Sequence, residues 1–258
     1  MASVKFTLVG VCHLLPLPAG PKVSAGFGTV RERALSDAGV LADAGFDAII
    51  LENFGDAPFP AGPVDTHVAA FVAVLAAEVK SRHVLRVGIN LLRNDARAAM
   101  GVAAASGADF IRVNIHTGAM LTDQGILQGD AHGTLRYRRE LGACVQVCAD
   151  VHVKHAVPLA AQDIGQVAHE THHRGGAEVL IVTGDGTGKQ ADRAHVTRVR
   201  AAVPAATVWV GSGVTAETVS GWAQLAHGAI VGTALHEGRD IAAPLSAIEA
   251  ARVRKAVG

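Results

Sequence analysis

The sequence predicts a single-domain (β/α)8 barrel of the TIM type spanning residues 1–258, on three observations. Its 258 residues match the roughly 250 typical of such a barrel and lie at the upper end for one hydrophobic core. Short β-branched runs alternate with longer Ala-rich segments of helical period, which implies a parallel sheet. Three of the strands alternate strictly between apolar and polar residues, as a strand with two unlike faces must. An open, doubly wound sheet is the alternative that the same order permits.

The elements follow in order. Strands are expected at residues 6–12, 48–52, 84–91, 110–116, 144–154, 179–183, 207–211 and 229–231. Helices are expected at 30–44, 64–80, 95–106, 162–174, 191–202, 216–225 and 244–256, with a weaker pattern within 133–143. Gly45, Gly107, Gly175 and Gly176 sit just after helices, where a left-handed cap residue is needed. No stretch reads as an interdomain linker.

Composition excludes several classes. Half of the residues are hydrophobic, and 23 Lys/Arg balance 23 Asp/Glu, so the net charge is zero. A chain this apolar is not disordered, and without a basic excess it is not a generic nucleic-acid binder. Cys12, Cys144 and Cys148 do not make a disulfide framework, so a reduced, cytoplasmic setting is expected. The C-x3-C pair reads as small barrel-filling residues on one strand face. No apolar run approaches the roughly 20 residues of a membrane span, and no secretory leader is evident. A homo-oligomer is the expectation for a soluble barrel.

Two motif matches are set aside. His169-Glu170-Thr171-His172-His173 satisfies the metalloprotease pattern, but the buried helix stripe is Ile164, Val167, Ala168 and Thr171, leaving His169, Glu170 and His173 facing solvent. Gly184-Asp185-Gly186-Thr187-Gly188-Lys189-Gln190 has a P-loop look, yet lacks the first Gly spacing and the Ser/Thr after Lys. It is expected to be a loop after the sixth strand that helps to hold a ligand.

The alternation locates the chemistry. Val145, Val147, Ala149, Val151 and Val153 alternate with Gln146, Cys148, Asp150, His152 and Lys154. Ile111, Val113 and Ile115 alternate with Arg112, Asn114 and His116, and Val87, Ile89 and Leu91 with Arg86, Gly88 and Asn90. The outer face of a barrel packs under helices, so the polar faces point into the lumen. Charges there are costly unless they satisfy one another or serve a site. Their crowding toward the strands' C-terminal ends, where barrel active sites lie, points to a site.

Glu52, Asp150, Lys154 and His13 are the candidate catalytic residues: carboxylates for proton transfer, an amine, and an imidazole. Asp150 and Lys154, four apart on one strand face, would stand about 13 Å from each other. Asn90, Arg112, Asn114, Asp123 and Thr183 are candidate substrate contacts. After the last two strands, Gly211, Ser212 and Gly213, with Gly232 and Thr233, form glycine-rich turns whose N–H groups, reinforced by a helix N-terminus, would bind phosphate. No motif calls for a resident metal or cofactor; Mg2+ is the ion that Glu52 and Asp150 would suit. The long loop 117–133 could fold over the mouth as a lid.

Seven blocks carry a resemblance: Val11-Cys12-His13-Leu14-Leu15-Pro16-Leu17-Pro18, Leu51-Glu52-Asn53-Phe54-Gly55-Asp56, Gly88-Ile89-Asn90-Leu91-Leu92-Arg93-Asn94-Asp95, Phe110-Ile111-Arg112-Val113-Asn114, Thr122-Asp123-Gln124-Gly125, Ala149-Asp150-Val151-His152-Val153-Lys154-His155-Ala156 and Gly211-Ser212-Gly213-Val214-Thr215. In this order, over about residues 8–235, they resemble the BtpA/SgcQ family. The resemblance implies a phosphate-binding type of barrel. It links one branch to photosystem I accumulation and another to sugar metabolism, where a nucleoside-triphosphatase label has also been used. Val11-Cys12-His13 departs from the family's usual Met-Val-His but keeps the histidine.

The expected function is an enzyme acting on a small phosphorylated sugar or nucleotide-like compound by acid–base chemistry, of isomerase, epimerase or lyase type. Hydrolysis of a glycosidic bond is one alternative. A non-catalytic assembly or stability factor, as in photosystem I biogenesis, is the other, and would present a large exposed apolar patch.

Overall fold

The computed structural model describes residues 5–184, 186 and 190–258. Eleven strands alternate with eight helices among them: β1 Thr7–His13, α1 Phe27–Asp43, β2 Ala48–Glu52, α2 Thr66–Arg82, β3 Arg86–Asn90, α3 Ala96–Ser106, β4 Phe110–Val113, β5 Ala119–Thr122, β6 Gly125–Gln128, α4 Ala131–Glu140, β7 Gln146–Val151, β8 Ala156–Pro158, α5 Ile164–His169, β9 Val179–Val182, α6 Arg193–Ala202, β10 Thr207–Val210, α7 Val219–Ala223, β11 Gly228–Val231 and α8 Ala247–Val257. Eight of the strands close a parallel barrel in the order β1-β2-β3-β4-β7-β9-β10-β11. The expected barrel is the observed one.

Helices form where the sequence repeats apolar residues at three and four. In α1, Val30, Ala34, Ala38 and Leu41 are buried, and in α2, Val68, Val72, Leu75, Ala76 and Val79. Asp95 caps α3 by accepting from the Ala98 N–H at 2.8 Å, and Gly107 ends it at φ 73°. Of the paired glycines after α5, Gly176 takes the left-handed turn at φ 67°, while Gly175 stays helical at φ −79°. His169 and His173 are exposed and Thr171 is buried, as the helix stripe requires. No helix of the described residues is long and apolar enough to cross a membrane.

Packing divides into an outer and an inner core. Outward residues such as Val87, Ile89, Ile111, Val113, Val147, Ala149 and Val151 pack against the helices. Inside the barrel, Val9, Val11, Ile50, Phe110, Cys148, Ile181, Trp209 and Ile230 belong to a separate apolar plug. Phe110 and Trp209 meet edge to face with ring centres 5.7 Å apart. Gly88 makes room for them: a Cβ there would sit 2.2 Å from Phe110 Cε2. Below the plug Arg86 donates to Gln146 at 2.5 Å. Gln146 therefore belongs to the barrel floor and not to the mouth.

Two departures from expectation shape the mouth. The seventh barrel segment is shorter than 144–154: Cys144 precedes β7 and is exposed, so only Cys148 fills the barrel. The strand ends at Val151 because the backbone turns left-handed at His152 (φ 56°) and again at His155 (φ 57°). That turn sends the chain back across the mouth as β8. The segment 117–133 contains a hairpin, β5–β6, and β8 completes an antiparallel sheet in the order β6-β5-β8. Its inner side is held by a small cluster of Ile115, Met120, Leu127 and Val153. Most of the loop 184–190 lies outside the described residues.

Candidate active site at the barrel mouth

Above the apolar plug, the inward positions turn polar. His13, Glu52 and Asn90 stand side by side in register on β1, β2 and β3. Arg112 and Asp150 come from β4 and β7, and Asn114 follows β4. All six are at most 6% exposed.

Asp150 is the anchor of this layer. Its Oδ1 accepts from Arg112 Nε at 3.1 Å, and its Oδ2 accepts from Arg112 Nη2 at 3.0 Å and from Asn114 Nδ2 at 3.0 Å. Asn114 Oδ1 accepts from Asn90 Nδ2 at 3.1 Å, and Asn90 Oδ1 is buried without a partner. Arg112 Nη1 reaches Glu52 at 3.8 Å. The guanidinium of Arg112 thus occupies the ground between Glu52 and Asp150 that Mg2+ would need. The carboxylate pair does not fit that ion, and no cluster of three metal-binding side chains occurs among the described residues.

Glu52, Lys154 and His13 remain open to chemistry. Two adjoining pockets share Glu52 and Lys154. The first encloses about 630 Å³ including its mouth, and is lined also by His13, Arg112, Ser212, Gly213, Gly232 and Thr233. The second, about 880 Å³ on the same measure, is bounded by Phe54, Phe59, Leu92, Arg93, Asn114 and Asp123. Lys154 reaches this junction because the chain turns back after β7, not by continuing the strand. Its backbone N–H donates to Thr183 Oγ1 at 3.1 Å, so Thr183 fixes the turn and lines neither pocket. Burial pushes the Lys154 amine below its ordinary pKa, assisted by Arg112 and Arg93 and opposed by Glu52 and Asp150.

The protonation of His13 follows from its neighbours. His236 Nδ1 lies 2.7 Å from the Ala243 carbonyl, which can only accept, so His236 carries its proton there. Its Nε2 then accepts from His13 Nδ1 at 2.9 Å, which leaves a lone pair on His13 Nε2. Burial, then His236, Lys154 and Arg112, hold His13 well below the usual histidine pKa and keep it neutral. Gly232 leaves that edge uncovered: a Cβ there would lie 3.0 Å from His13 Cε1 and 3.4 Å from Nε2. The Nε2 lone pair of His13 is thereby presented to the pocket as a hydrogen-bond acceptor.

Ser212, Gly213, Gly232 and Thr233 line the first pocket, with no helix N-terminus behind them. Ser212 and Gly213 are successively left-handed, at φ 67° and 64°, a shape that can gather backbone N–H groups around an anion. Gly211 faces Thr183 instead of the pocket. Helix α7 begins only at Val219, and Thr233–Leu235 is a single 3-10 turn, so neither supplies the expected helix field. Positive charge comes from Arg239, which also lines the first pocket. Strand periodicity does not reveal Arg239, His236, Arg93, Phe54 and Phe59, because all of them lie outside the barrel strands. Arg93 and Phe54 did fall within blocks quoted for the family resemblance.

Comparison with known proteins places the chain. The BtpA family model matches residues 4–258. The chain belongs to the BtpA family. Within that family it is 42% identical over 228 residues to the photosystem I biogenesis protein BtpA of Synechocystis sp., covering 88% of this chain and 79% of that one. It is 30% identical over 229 residues to the putative sgc region protein SgcQ of Escherichia coli, covering 88% and 84%. Among solved structures, N-(5'-phosphoribosyl)anthranilate isomerase from Pyrococcus furiosus is similar in fold, with a TM-score of 0.60 at 10% identity, covering 98% of each chain. At that identity the likeness concerns the fold alone.

Proposed function

We propose that this BtpA-family barrel is an enzyme that acts on a small phosphorylated sugar or nucleotide-like compound by acid–base chemistry. One observation carries the proposal: Glu52 and Lys154 stand where two pockets meet, with the unprotonated Nε2 of His13 at the same mouth. A phosphate seated among Ser212, Gly213, Gly232 and Thr233, facing Arg239, would bring the neighbouring carbons to this trio. His13 or Glu52 removes a proton, and the Lys154 ammonium stabilises the negative charge that develops on an adjacent oxygen. Isomerase, epimerase and lyase reactions share that first step.

The test is binding of inorganic phosphate and of phosphorylated sugars, by calorimetry and thermal shift. Gly213→Asp places a carboxylate in the cradle and should weaken phosphate at least tenfold, on the order of 1.4 kcal/mol or more, in a protein that still folds. Unchanged binding rejects the cradle.

A second function is favoured by a different observation. Leu121, Ile126 and Val157 are cross-strand neighbours on the outer face of the β6-β5-β8 sheet, exposed by 52%, 57% and 64%. Such a face suits docking to a protein partner, as a biogenesis role like the one in the Synechocystis relative's name would use. Replacing all three by Ser or Thr would abolish assembly while leaving phosphate binding intact.

A further inference from the structure

We infer that the mouth holds a second anion subsite, centred on Arg93, and that the substrate bears a carboxylate on an apolar, ring-like body at the end away from its phosphate. This rests on the mouth being the enzymatic site proposed above.

Arg93 is 5% exposed and lines the second pocket. A guanidinium has five N–H donors, and here Nη2 donates to the Lys154 carbonyl at 2.8 Å. Among the described residues no carboxylate forms an ion pair with it; Glu52, Asp150 and Asp123 act on it only through space. Arg112, in the same mouth, is by contrast held along its Nε–Nη2 edge by Asp150, with Glu52 3.8 Å from Nη1. A buried cation without a paired anion is costly to maintain. At a pocket wall, that arrangement is one a ligand anion completes.

The rest of the wall narrows the class. Phe54 and Phe59 meet edge to face at 6.3 Å and are only partly buried, and Leu92 lies beside them. These surfaces suit a flat apolar body. The planar fork of Arg93 matches a carboxylate in two-point geometry. Asp123 and Glu52 line the same pocket and would repel a dianion, so a second phosphate fits poorly where a singly charged carboxylate fits well. Because Glu52 and Lys154 line both pockets, a ligand spanning the two passes its middle across them.

The experiment uses the full chain with benzoate and inorganic phosphate as separate probes, followed by calorimetry and by the Nε–H NMR signals of the arginines. Benzoate should shift the Arg93 signal, should bind with phosphate already saturating, and should bind more tightly than benzamide. Arg93→Gln should weaken benzoate about tenfold or more, the scale of a lost charge-assisted pair, with phosphate affinity unchanged. Phe59→Ala should also weaken benzoate, and it decides the matter if Arg93→Gln does not fold. Benzoate that fails to bind, that binds no better than benzamide, or that phosphate displaces overturns the inference. If phosphate binds and benzoate does not, the second subsite falls and the proposed function stands. If benzoate binds at Arg93 and phosphate does not bind, the subsite stands and the phosphate cradle falls.

Discussion

Replacing Asp150 by Asn should destabilise the barrel by about 3–5 kcal/mol, the range for breaking a buried ion pair by removing one partner. The size follows from what the change leaves behind. Asn matches Asp in volume, so no cavity forms. An amide NH2 must, however, replace one carboxylate oxygen. It then confronts either Arg112 Nε, or both Arg112 Nη2 and Asn114 Nδ2, all of which are donors. The Arg112 side chain is 5% exposed, and its remaining anion, Glu52, is 3.8 Å away. Urea unfolding at pH 7.5 reads the loss directly; in a thermal scan it is roughly 6–20 °C, at about 2–4 °C per kcal/mol for a domain of this size. Replacing both partners, as in Arg112→Met with Asp150→Leu, removes the charge and its counter-charge together and should recover most of the stability. A loss below about 1 kcal/mol for Asp150→Asn, or a double variant no more stable than the single one, refutes the assignment of Asp150 as the anchor.

Three further outcomes are expected. His13, His236 and His116 are held below the ordinary histidine pKa, in each case chiefly by burial. Below about pH 6.5 the unfolded chain takes up protons that the folded one refuses. Stability should therefore be full above about pH 7.5 and fall on acidification by up to about 1.4 kcal/mol per pH unit for each histidine. His13→Gln should flatten the slope, and urea midpoints that rise toward pH 5 contradict the sign. Gly88→Ala puts a Cβ 2.2 Å from Phe110 Cε2 and should cost about 1–3 kcal/mol by overpacking, partly offset by Phe110→Leu; additive effects in a double-mutant cycle would disprove the contact. Cys144 is exposed, whereas Cys12 and Cys148 are buried, with thiols pushed up by that burial. A thiol reagent should label one cysteine in the native protein and all three after unfolding, and rapid labelling of a second would place Cys148 outside the barrel plug.

Much of the mouth was legible because a strand has period two. Once the apolar face of residues 110–116 is assigned to the helices, Arg112 and Asn114 must point inward, and the same logic holds for Asn90 and Asp150. Periodicity does not say how far a strand runs. Asp150 and Lys154 read as one face about 13 Å apart, yet the chain leaves β7 at Val151 through left-handed His152 and His155, neither a residue type that announces such a turn. Lys154 therefore returns to the mouth, where Asp150 acts on its charge. The hairpin β5–β6 was similarly hidden: each strand places two apolar residues side by side, Met120-Leu121 and Ile126-Leu127, where alternation would mark a half-buried strand. His236 and Arg93 matter through partners distant in sequence, at His13 and Lys154, and no local spacing encodes either.

The balance of charge at the mouth shows why pairing, and not net charge, marks a site. Arg112, Lys154 and Arg93 face Glu52, Asp150 and Asp123, so the layer sums to zero just as the whole chain does. A self-satisfied ionic core would pair these groups off. Instead Asp150 is committed to Arg112 and Asn114, and Glu52 touches only the far edge of Arg112 at 3.8 Å. Among the described residues Lys154 and Arg93 make no ion pair, and Asn90 Oδ1 has no hydrogen-bond donor. Asp150, whose side chain is fully buried, lines neither pocket, whereas the unpaired Lys154 and Arg93 line them. Pairing thus separates the part of the layer that holds the barrel together from the part left open to a ligand, and substitutions at Asp150 and at Arg93 should divide along that line, the first lowering stability and the second lowering affinity.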